Sequence, residues 1–161
     1  VDGTLAIMCG GDAEVFEACK SLLAAMGRTI THVGPVGAGH AMKALNNYVS
    51  AAGLVATVEA LHVGARFGLD PEVMTDVLNS STGRNNTTEV KVKPFMLSGK
   101  FDSGFALRLM AKDLGIAMGL GSAIGEPMRL GEEVLKIWRD AAEKLPASAD
   151  HTEMYRFLQR D

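Results

Sequence analysis

The longest pattern in the chain is an apolar stretch from Ala38 to Phe67 that contains no proline. Its apolar residues fall nearly all round a helical wheel, and only Gly53 and Gly64 interrupt it. At 1.5 Å of rise per residue, such a helix would be about 45 Å long. A helix that is apolar on nearly every side is expected to be buried on most sides. The pattern therefore predicts one long helix, ended by Gly68, as the central post of a helical domain.

The chain before this helix has a different pattern. A short apolar run at 4–9 stops at two glycines, and the segment 29–33 is rich in β-branched residues, so both are predicted to be strands. Between them, Asp12 can cap a helix that Gly27 would end. Two strands do not make a stable sheet by themselves, and no later segment predicts a strand. The strands at 1–33 are therefore expected to need partners from elsewhere.

The chain after Gly68 predicts a series of shorter helices. Asp70 and Pro71 fit the N-cap and the first helical position, and the polar stretch 80–88 predicts a loop. The later helical segments are predicted at 92–97, 105–125, 127–144 and 150–159, the last with Asp150 as its cap. The predicted fold class is mainly α, with a helical domain around one long central helix and a strand–helix–strand segment before it.

Composition narrows the function classes. A chain of 161 residues with 47% hydrophobic and 22% charged residues is ordinary for a soluble globular protein. The net charge of −3 offers no broad basic field for nucleic acid or an anionic membrane. Two cysteines, Cys9 and Cys19, do not form a disulfide framework and favour a reducing, cytoplasmic setting.

Two further patterns concern membranes. The uncharged stretch 44–58 is shorter than the roughly 20 apolar residues that a spanning helix needs, and it contains Asn46, Asn47 and Ser50. The N-terminal residues lack a basic region followed by an apolar run, so no signal peptide is expected. A buried core helix is the favoured interpretation of the long stretch.

Gly37 and Gly39 lie at the entry to the long helix. A dinucleotide fingerprint would need glycine or alanine where Met42 stands, so the turn does not match that motif. A helix N-terminus favours anions, and a carboxylate could approach the backbone here. A plain glycine-rich helix entry is the open alternative.

Lys43 and Asn47 are four residues apart and share a helix face, and Ser50 lies next along the same side. An ammonium, an amide and a hydroxyl on one face could position a small polar molecule. Lysine can donate or accept a proton, or form a Schiff base, and a lysine that merely reaches solvent is the alternative. Lys112 and Asp113 interrupt a later apolar run, where an exposed pair facing water is the usual interpretation.

Three segments together resemble the β-hydroxyacid dehydrogenases. They are GTLAIMCGGD, HVGPVGAGHAMKALNN and FALRLMAKDLGIA, and the resemblance covers nearly the whole chain. This family includes 3-hydroxyisobutyrate dehydrogenase and tartronate semialdehyde reductase and is related to 6-phosphogluconate dehydrogenase. The segment with two glycines, a lysine and paired asparagines is the specific part.

The resemblance implies roles for particular residues. It implies that Lys43 is the catalytic acid/base, that Asn47 binds substrate and helps to place the lysine, and that Lys112 lies near the nicotinamide cofactor. Gly37 and Gly39 would lie against the substrate, a small 3-hydroxy acid similar to 3-hydroxyisobutyrate. The implied cofactor is NAD or NADP. No metal site is expected, because the four histidines show no metal-ligand spacing.

The chain departs from the family in lacking the Rossmann glycine fingerprint and the serine–glycine pair that holds the substrate carboxylate. We therefore expect a C-terminal part of such an enzyme, with 1–33 as the edge of the dinucleotide-binding Rossmann domain and 34–161 as the all-helical substrate and dimerisation domain. Alone, it is expected to be inactive, to bind no cofactor tightly and to form a homo-oligomer. Two alternatives stay open, a non-catalytic dimerisation or ligand-binding module and a Schiff-base lyase.

Overall fold

The computed structural model describes residues 5–159, which form nine regular helices and strands in two compact units, one up to Asn46 and one from Asn47. The elements are β1 Ala6–Gly10, α1 Ala13–Ala24, β2 Thr29–Gly34, α2 Ala38–Phe67, α3 Pro71–Ser80, α4 Asn86–Val90, α5 Leu107–Ala123, α6 Arg129–Lys144 and α7 Met154–Phe157. A π-helical segment covers Val92–Leu97, and a 3-10 turn covers His151–Glu153. The mainly α fold class is confirmed. The predicted start of the first strand, Thr4, lies outside the described residues.

The first unit contains the predicted strand–helix–strand segment. β1 and β2 are parallel, with Ile7 opposite Ile30. Asp12 caps α1, since its Oδ1 accepts from the backbone N–H groups of Glu14 at 2.9 Å and Val15 at 3.1 Å. None of the residues of α1 is buried, although the helix carries apolar side chains at helical spacing. Within the described residues, the apolar side chains of α1 are therefore exposed, such as Val15 and Leu22, or only half-buried, such as Phe16 and Leu23.

Gly27 does not end α1 as predicted. The helix stops at Ala24, three residues earlier, and Gly27 follows in the connection to β2. A Cβ at this position would overlap the backbone oxygen of Leu5 and press on the side chain of Ile7. The glycine is needed because the connection passes directly against β1.

The bounds of α2 agree with the prediction, and Gly68 ends it with a left-handed φ of +100°. One side of α2 enters the core of the second unit with the fully buried Leu54, Val58 and Leu61. The expectation that α2 is buried on most sides is wrong for the described chain. Several of its apolar side chains outside that core stay exposed, including Val49, Val63 and Phe67 at 68%, 70% and 84% exposure.

By length and composition alone, α2 could also cross a membrane, and 39% of its most apolar window is buried inside the protein. Core helices of soluble proteins pass the same test. The length and composition of α2 therefore do not decide between a membrane span and a core helix, and the core helix stays a prediction.

The core of the second unit is built from side chains of α2, α5 and α6, and α5 packs against α6. Leu107, Met110, Leu114 and Ala117 of α5 are buried, as their spacing predicts, and Trp138 of α6 is fully buried beside them. α6 adds further core side chains, Val134, Leu135 and Ala141, and other segments add Val92, Met96, Phe101 and Met154. α6 begins at Arg129, two residues later than the predicted start at Pro127.

The predicted loop 80–88 is partly helical, which corrects the sequence interpretation. Asn85 caps α4, because its Oδ1 accepts from the backbone N–H groups of Thr87 at 2.8 Å and Thr88 at 3.3 Å. Its amide also donates to Thr57 Oγ1 at 3.1 Å. A run of polar residues with low helix propensity resembles a loop, but these side chains satisfy the backbone at a buried helix start.

Candidate functional site

The end of β1 packs closely against the start of α2. A Cβ on Gly39 would lie 2.5 Å from the backbone oxygen of Met8, and one on Gly10 would lie 2.6 Å from that of Pro35. Gly37 has a left-handed φ of +92°, and a Cβ added there would have nothing within 4 Å. Gly39 therefore has a packing reason to be glycine, and the predicted substrate contact of Gly37 and Gly39 stays a prediction.

Lys43 lies early in α2, and its side chain is exposed. An exposed lysine on an otherwise apolar helix is compatible both with the predicted role in proton transfer and with a solvated side chain. Its catalytic role therefore also stays a prediction.

Asp113 joins two of the predicted site residues. Asn47 Nδ2 donates to Asp113 Oδ2 at 2.6 Å, and Lys112 Nζ lies 2.9 Å from Asp113 Oδ1. Asp113 is only 5% exposed, whereas the Lys112 side chain is 61% exposed. One buried carboxylate thus holds an amide of α2 and an ammonium at the surface of α5. Charge-assisted hydrogen bonds of this kind are shorter and stronger than neutral ones.

This geometry corrects the interpretation of Lys112 and Asp113 as an exposed pair facing water. Adjacent residues on a helix point about 100° apart, so the two side chains need not share an environment. Asp113 lies three residues after Met110 and four before Ala117, both buried. That spacing was a signal in the sequence that Asp113 lies on the buried face.

Lys91 was not singled out from the sequence. Its Nζ donates to Ser50 Oγ on α2 at 3.4 Å, and the residue is half-buried. Burial lowers the pKa of Lys91, and the negative charge of Asp150 opposes that shift only in part. Neither Lys91 nor its contact with α2 follows from the local pattern, because 41 residues separate the two partners.

Asp150 organises the entry to α5 from the other end of the chain. Its carboxylate accepts from the backbone N–H groups of Gly104 at 2.9 Å and Phe105 at 3.1 Å, and from the hydroxyls of Ser103 and Thr152. Burial raises the pKa of Asp150, but the hydrogen bonds from Thr152 and Ser103 outweigh it and hold the pKa below its usual range. The predicted cap at Asp150 is confirmed by the bond from the backbone N–H of Thr152 at 2.9 Å.

His151 is buried beside this carboxylate. Its Nδ1 lies 3.1 Å from the backbone oxygen of Phe105, and its Nε2 has no hydrogen-bond partner among the described residues. Burial lowers the pKa of His151, and the charge of Lys91 adds to the shift. The imidazole is therefore held neutral, and the hydrogen bond to a carbonyl places its proton on Nδ1.

Within residues 5–159, no group of three or more histidine, cysteine, aspartate or glutamate side chains is arranged to hold a metal ion. Cys9 and Cys19 are free thiols.

Comparison with known proteins identifies the family to which the chain is similar. Residues 37–158 match the profile described as NAD-binding of NADP-dependent 3-hydroxyisobutyrate dehydrogenase. Residues 1–34 match the NAD binding domain of 6-phosphogluconate dehydrogenase. The first match covers well over half of the chain.

Individual relatives agree with these profiles. The 2-(hydroxymethyl)glutarate dehydrogenase of Eubacterium barkeri is 40% identical over 78% of this chain and 42% of its own length. The mitochondrial 3-hydroxyisobutyrate dehydrogenase of Bos taurus is 34% identical over 99% of this chain and 49% of its own. The chain spans about half the length of the curated relatives it matches.

A solved structure is similar over nearly the whole chain. The Mycobacterium tuberculosis 3-hydroxyisobutyrate dehydrogenase with L-serine superposes with a TM-score of 0.89 at 32% identity. It covers 98% of this chain, which in turn covers 56% of that structure. Together with the profiles and the sequence relatives, this similarity shows that the chain belongs to the β-hydroxyacid dehydrogenase family, with 3-hydroxyisobutyrate dehydrogenases among its relatives.

Proposed function

We propose that this chain provides the helical, lysine-bearing part of a nicotinamide-dependent oxidoreductase that acts on small 3-hydroxy acids. The observation that carries the proposal is the buried Asp113 carboxylate, which fixes the Asn47 amide and the Lys112 ammonium at 2.6 and 2.9 Å. Burying a carboxylate is costly unless it is paired, and here the Asn47 amide and the Lys112 ammonium supply the pairing. Family membership supports the same interpretation.

The proposed proton chemistry belongs to Lys43. In oxidation the lysine accepts the proton of the substrate hydroxyl, and in reduction it returns that proton. Asn47, held by Asp113, orients the substrate oxygen, because an amide fixed at one end presents its remaining groups in one direction. The N–H groups at the glycine-rich start of α2 would favour the substrate carboxylate.

One residue of the chain, Lys112, is suited to bind the phosphates of the proposed cofactor. Lys112 is an exposed ammonium anchored at 2.9 Å by a buried carboxylate, which suits the negatively charged phosphates of NAD or NADP. When bound, the nicotinamide supplies the hydride acceptor or donor. Lys112 would hold that cofactor near α5, and we expect no tight cofactor binding by the 161-residue chain alone.

The relatives suggest the substrates to test. Their names contain 3-hydroxyisobutyrate and 2-(hydroxymethyl)glutarate, which are 3-hydroxy acids with one and two carboxylates. Both have the hydroxymethyl group next to a carboxylate that the proposed roles of Lys43 and the α2 entry require. We propose that the substrate has this unit.

The wider proposal is that the chain is a C-terminal part of a longer cytoplasmic enzyme and assembles as a homo-oligomer. Reading the gene upstream of Val1 tests the first point, since a glycine-rich strand–turn–helix is expected there. The complete gene product should reduce NAD or NADP with a 3-hydroxy acid, whereas the 161-residue chain should not. Turnover by the short chain, or none by the complete product with either cofactor, would contradict the proposal.

A non-catalytic dimerisation module is the second candidate. It is favoured by the exposed apolar side chains of α2, such as Val49, Val63 and Phe67. Sedimentation of the complete gene product together with the turnover assay separates the two candidates. Self-association without turnover would favour the module, and turnover would reject it.

A further inference from the structure

Lys91 is a half-buried lysine with an unusual lack of partners. The only hydrogen bond of its ammonium within the described residues is the one to Ser50 Oγ, which at 3.4 Å is long for a hydrogen bond. No carboxylate of residues 5–159 lies within ion-pair distance of its Nζ. Burial lowers the pKa of Lys91, and the negative charge of Asp150 opposes that shift only in part.

Two other lysines of the second unit are paired with carboxylates. Lys93, two residues further along, pairs with Asp76 at 2.6 Å at the surface. Lys144 pairs with Asp140 at 2.8 Å. An ammonium that is partly removed from water and has no carboxylate contact is costly, so Lys91 is the lysine of this group with most to gain from an anion.

The contact with Ser50 shows which part of α2 the Lys91 ammonium lies against. Ser50 lies three residues after Asn47, and side chains three apart on a helix have Cβ atoms about 5–6 Å from each other. Lys91 therefore reaches α2 one turn beyond the amide that Asp113 holds. A molecule bound at Asn47 and extending along α2 would bring its far end to the Lys91 ammonium.

We propose that Lys91, with Ser50, binds a second carboxylate of the substrate, so that the enzyme prefers 3-hydroxy dicarboxylic acids. The inference rests on the proposed function. A carboxylate would accept hydrogen bonds from the ammonium N–H groups of Lys91 that do not donate to Ser50. The Ser50 hydroxyl could donate to the same anion. In 2-(hydroxymethyl)glutarate the far carboxyl carbon lies up to about 6 Å from the hydroxyl oxygen that Asn47 is proposed to orient, given bonds of about 1.5 Å. That reach is comparable with the separation of about 5–6 Å between Cβ atoms three residues apart on a helix, as Asn47 and Ser50 are.

The test compares substrates with one and two carboxylates in the complete gene product. Steady-state kinetics with 3-hydroxyisobutyrate and 2-(hydroxymethyl)glutarate give the ratio of kcat/KM for the diacid to that for the monoacid. Lys91→Met should lower this ratio about 10- to 100-fold, because a hydrogen bond to a charged group is lost. The loss should lie mainly in KM for the diacid, since the contact forms equally in the ground and transition states. Lys91→Arg should recover most of the ratio.

Lys93→Met is the matched control, since it removes a lysine two residues away that is already paired at the surface. It should leave the ratio unchanged. If Lys91 only offsets the charge of Asp150, Lys91→Met would lower the melting temperature and affect both substrates equally, which would overturn the inference. A wild-type enzyme that prefers the monoacid would overturn it as well.

Binding of glutarate separates this inference from the proposed function. Glutarate has two carboxylates and no hydroxyl, so titration calorimetry measures recognition without turnover. Wild-type protein should bind it at least about 10-fold more tightly than Lys91→Met. Absence of turnover with both substrates would reject the proposed function, whereas equal glutarate affinities would reject the role of Lys91.

Discussion

Replacing Asp113 tests whether the buried carboxylate holds the candidate site together. Asp113→Ala removes the acceptor of the 2.6 Å bond from Asn47 and the partner of Lys112 at 2.9 Å. Because Asp113 is 5% exposed, the Asn47 amide would lose this bond in a place that water reaches poorly. A lost hydrogen bond to a charged group costs about 1.5–3 kcal/mol. The ion pair adds less than about 1 kcal/mol, because the lysine is exposed to solvent.

The free energy of unfolding should therefore fall by about 2–3 kcal/mol in Asp113→Ala. For a chain of this size, each kcal/mol shifts the melting temperature by about 2–4 °C. Urea unfolding of the 161-residue chain can be followed by the fluorescence of Trp138, the only tryptophan in the sequence, which is fully buried in the same unit. Lys112→Met is the matched control and should cost less than about 1 kcal/mol.

A double-mutant cycle isolates the bond itself. The variants Asn47→Ala, Asp113→Ala and the double mutant should show a coupling energy of at least about 1 kcal/mol, because the two side chains are in direct contact. If the single effects add to within about 0.5 kcal/mol, the 2.6 Å bond does not fix the amide, and the positioning argument for Asn47 fails.

Three further predictions concern other parts of the chain. In the complete gene product, Lys43→Ala should lower kcat by at least about 100-fold, since general acid–base catalysis contributes typically 10²–10⁴-fold. Lys43→Arg should not restore kcat, because arginine keeps its proton. An unchanged kcat would reject the catalytic role of Lys43. The lowered pKa of buried His151 means that the unfolded chain binds a proton that the folded chain refuses, so stability should fall as pH drops below about 6.5, by at most about 1.4 kcal/mol per pH unit. Urea unfolding of His151→Phe across the same pH range should show a weaker pH dependence, and an identical profile would contradict the assignment. Gly39→Ala should destabilise the first unit by about 1–3 kcal/mol, since its Cβ would lie 2.5 Å from the Met8 oxygen. Gly119→Ala, a helical position with nothing within 4 Å of a Cβ, should instead stabilise by about 0.5–1 kcal/mol, and equal thermal unfolding shifts for the two would refute the packing argument.

The candidate site was only partly accessible from the sequence. Lys43, Asn47 and Lys112 stand out by their spacing and by the family resemblance, and their roles stay proposals. The sequence interpretation placed Asp113 at the exposed surface because adjacent charged residues usually face water. Its burial depends on which face of α5 meets α2, although the spacing from Met110 already pointed to that face.

Local chemistry determined much of the fold directly from the sequence. Asp12, Asp70 and Asp150 cap the elements that follow them, since each carboxylate binds N–H groups two or three residues ahead. The bounds of α2 also followed from the sequence, because uninterrupted helix-forming residues end at Gly68 with a positive φ. Such features need only the neighbouring residues.

Contacts between distant residues were decided only by the tertiary structure. Asn47 meets Asp113 across 66 residues, and Lys91 meets Ser50 across 41. The exposure of Val49 could likewise not be predicted from the sequence. The apolar pattern of α2 shows which residues favour burial, but it does not show which neighbours are present to cover them. The sequence by itself determined the bounds of α2, the caps at Asp12, Asp70 and Asp150, and the family. The tertiary structure decided which charges are buried and paired, because packing, and not sequence spacing, sets the distance between side chains from different elements.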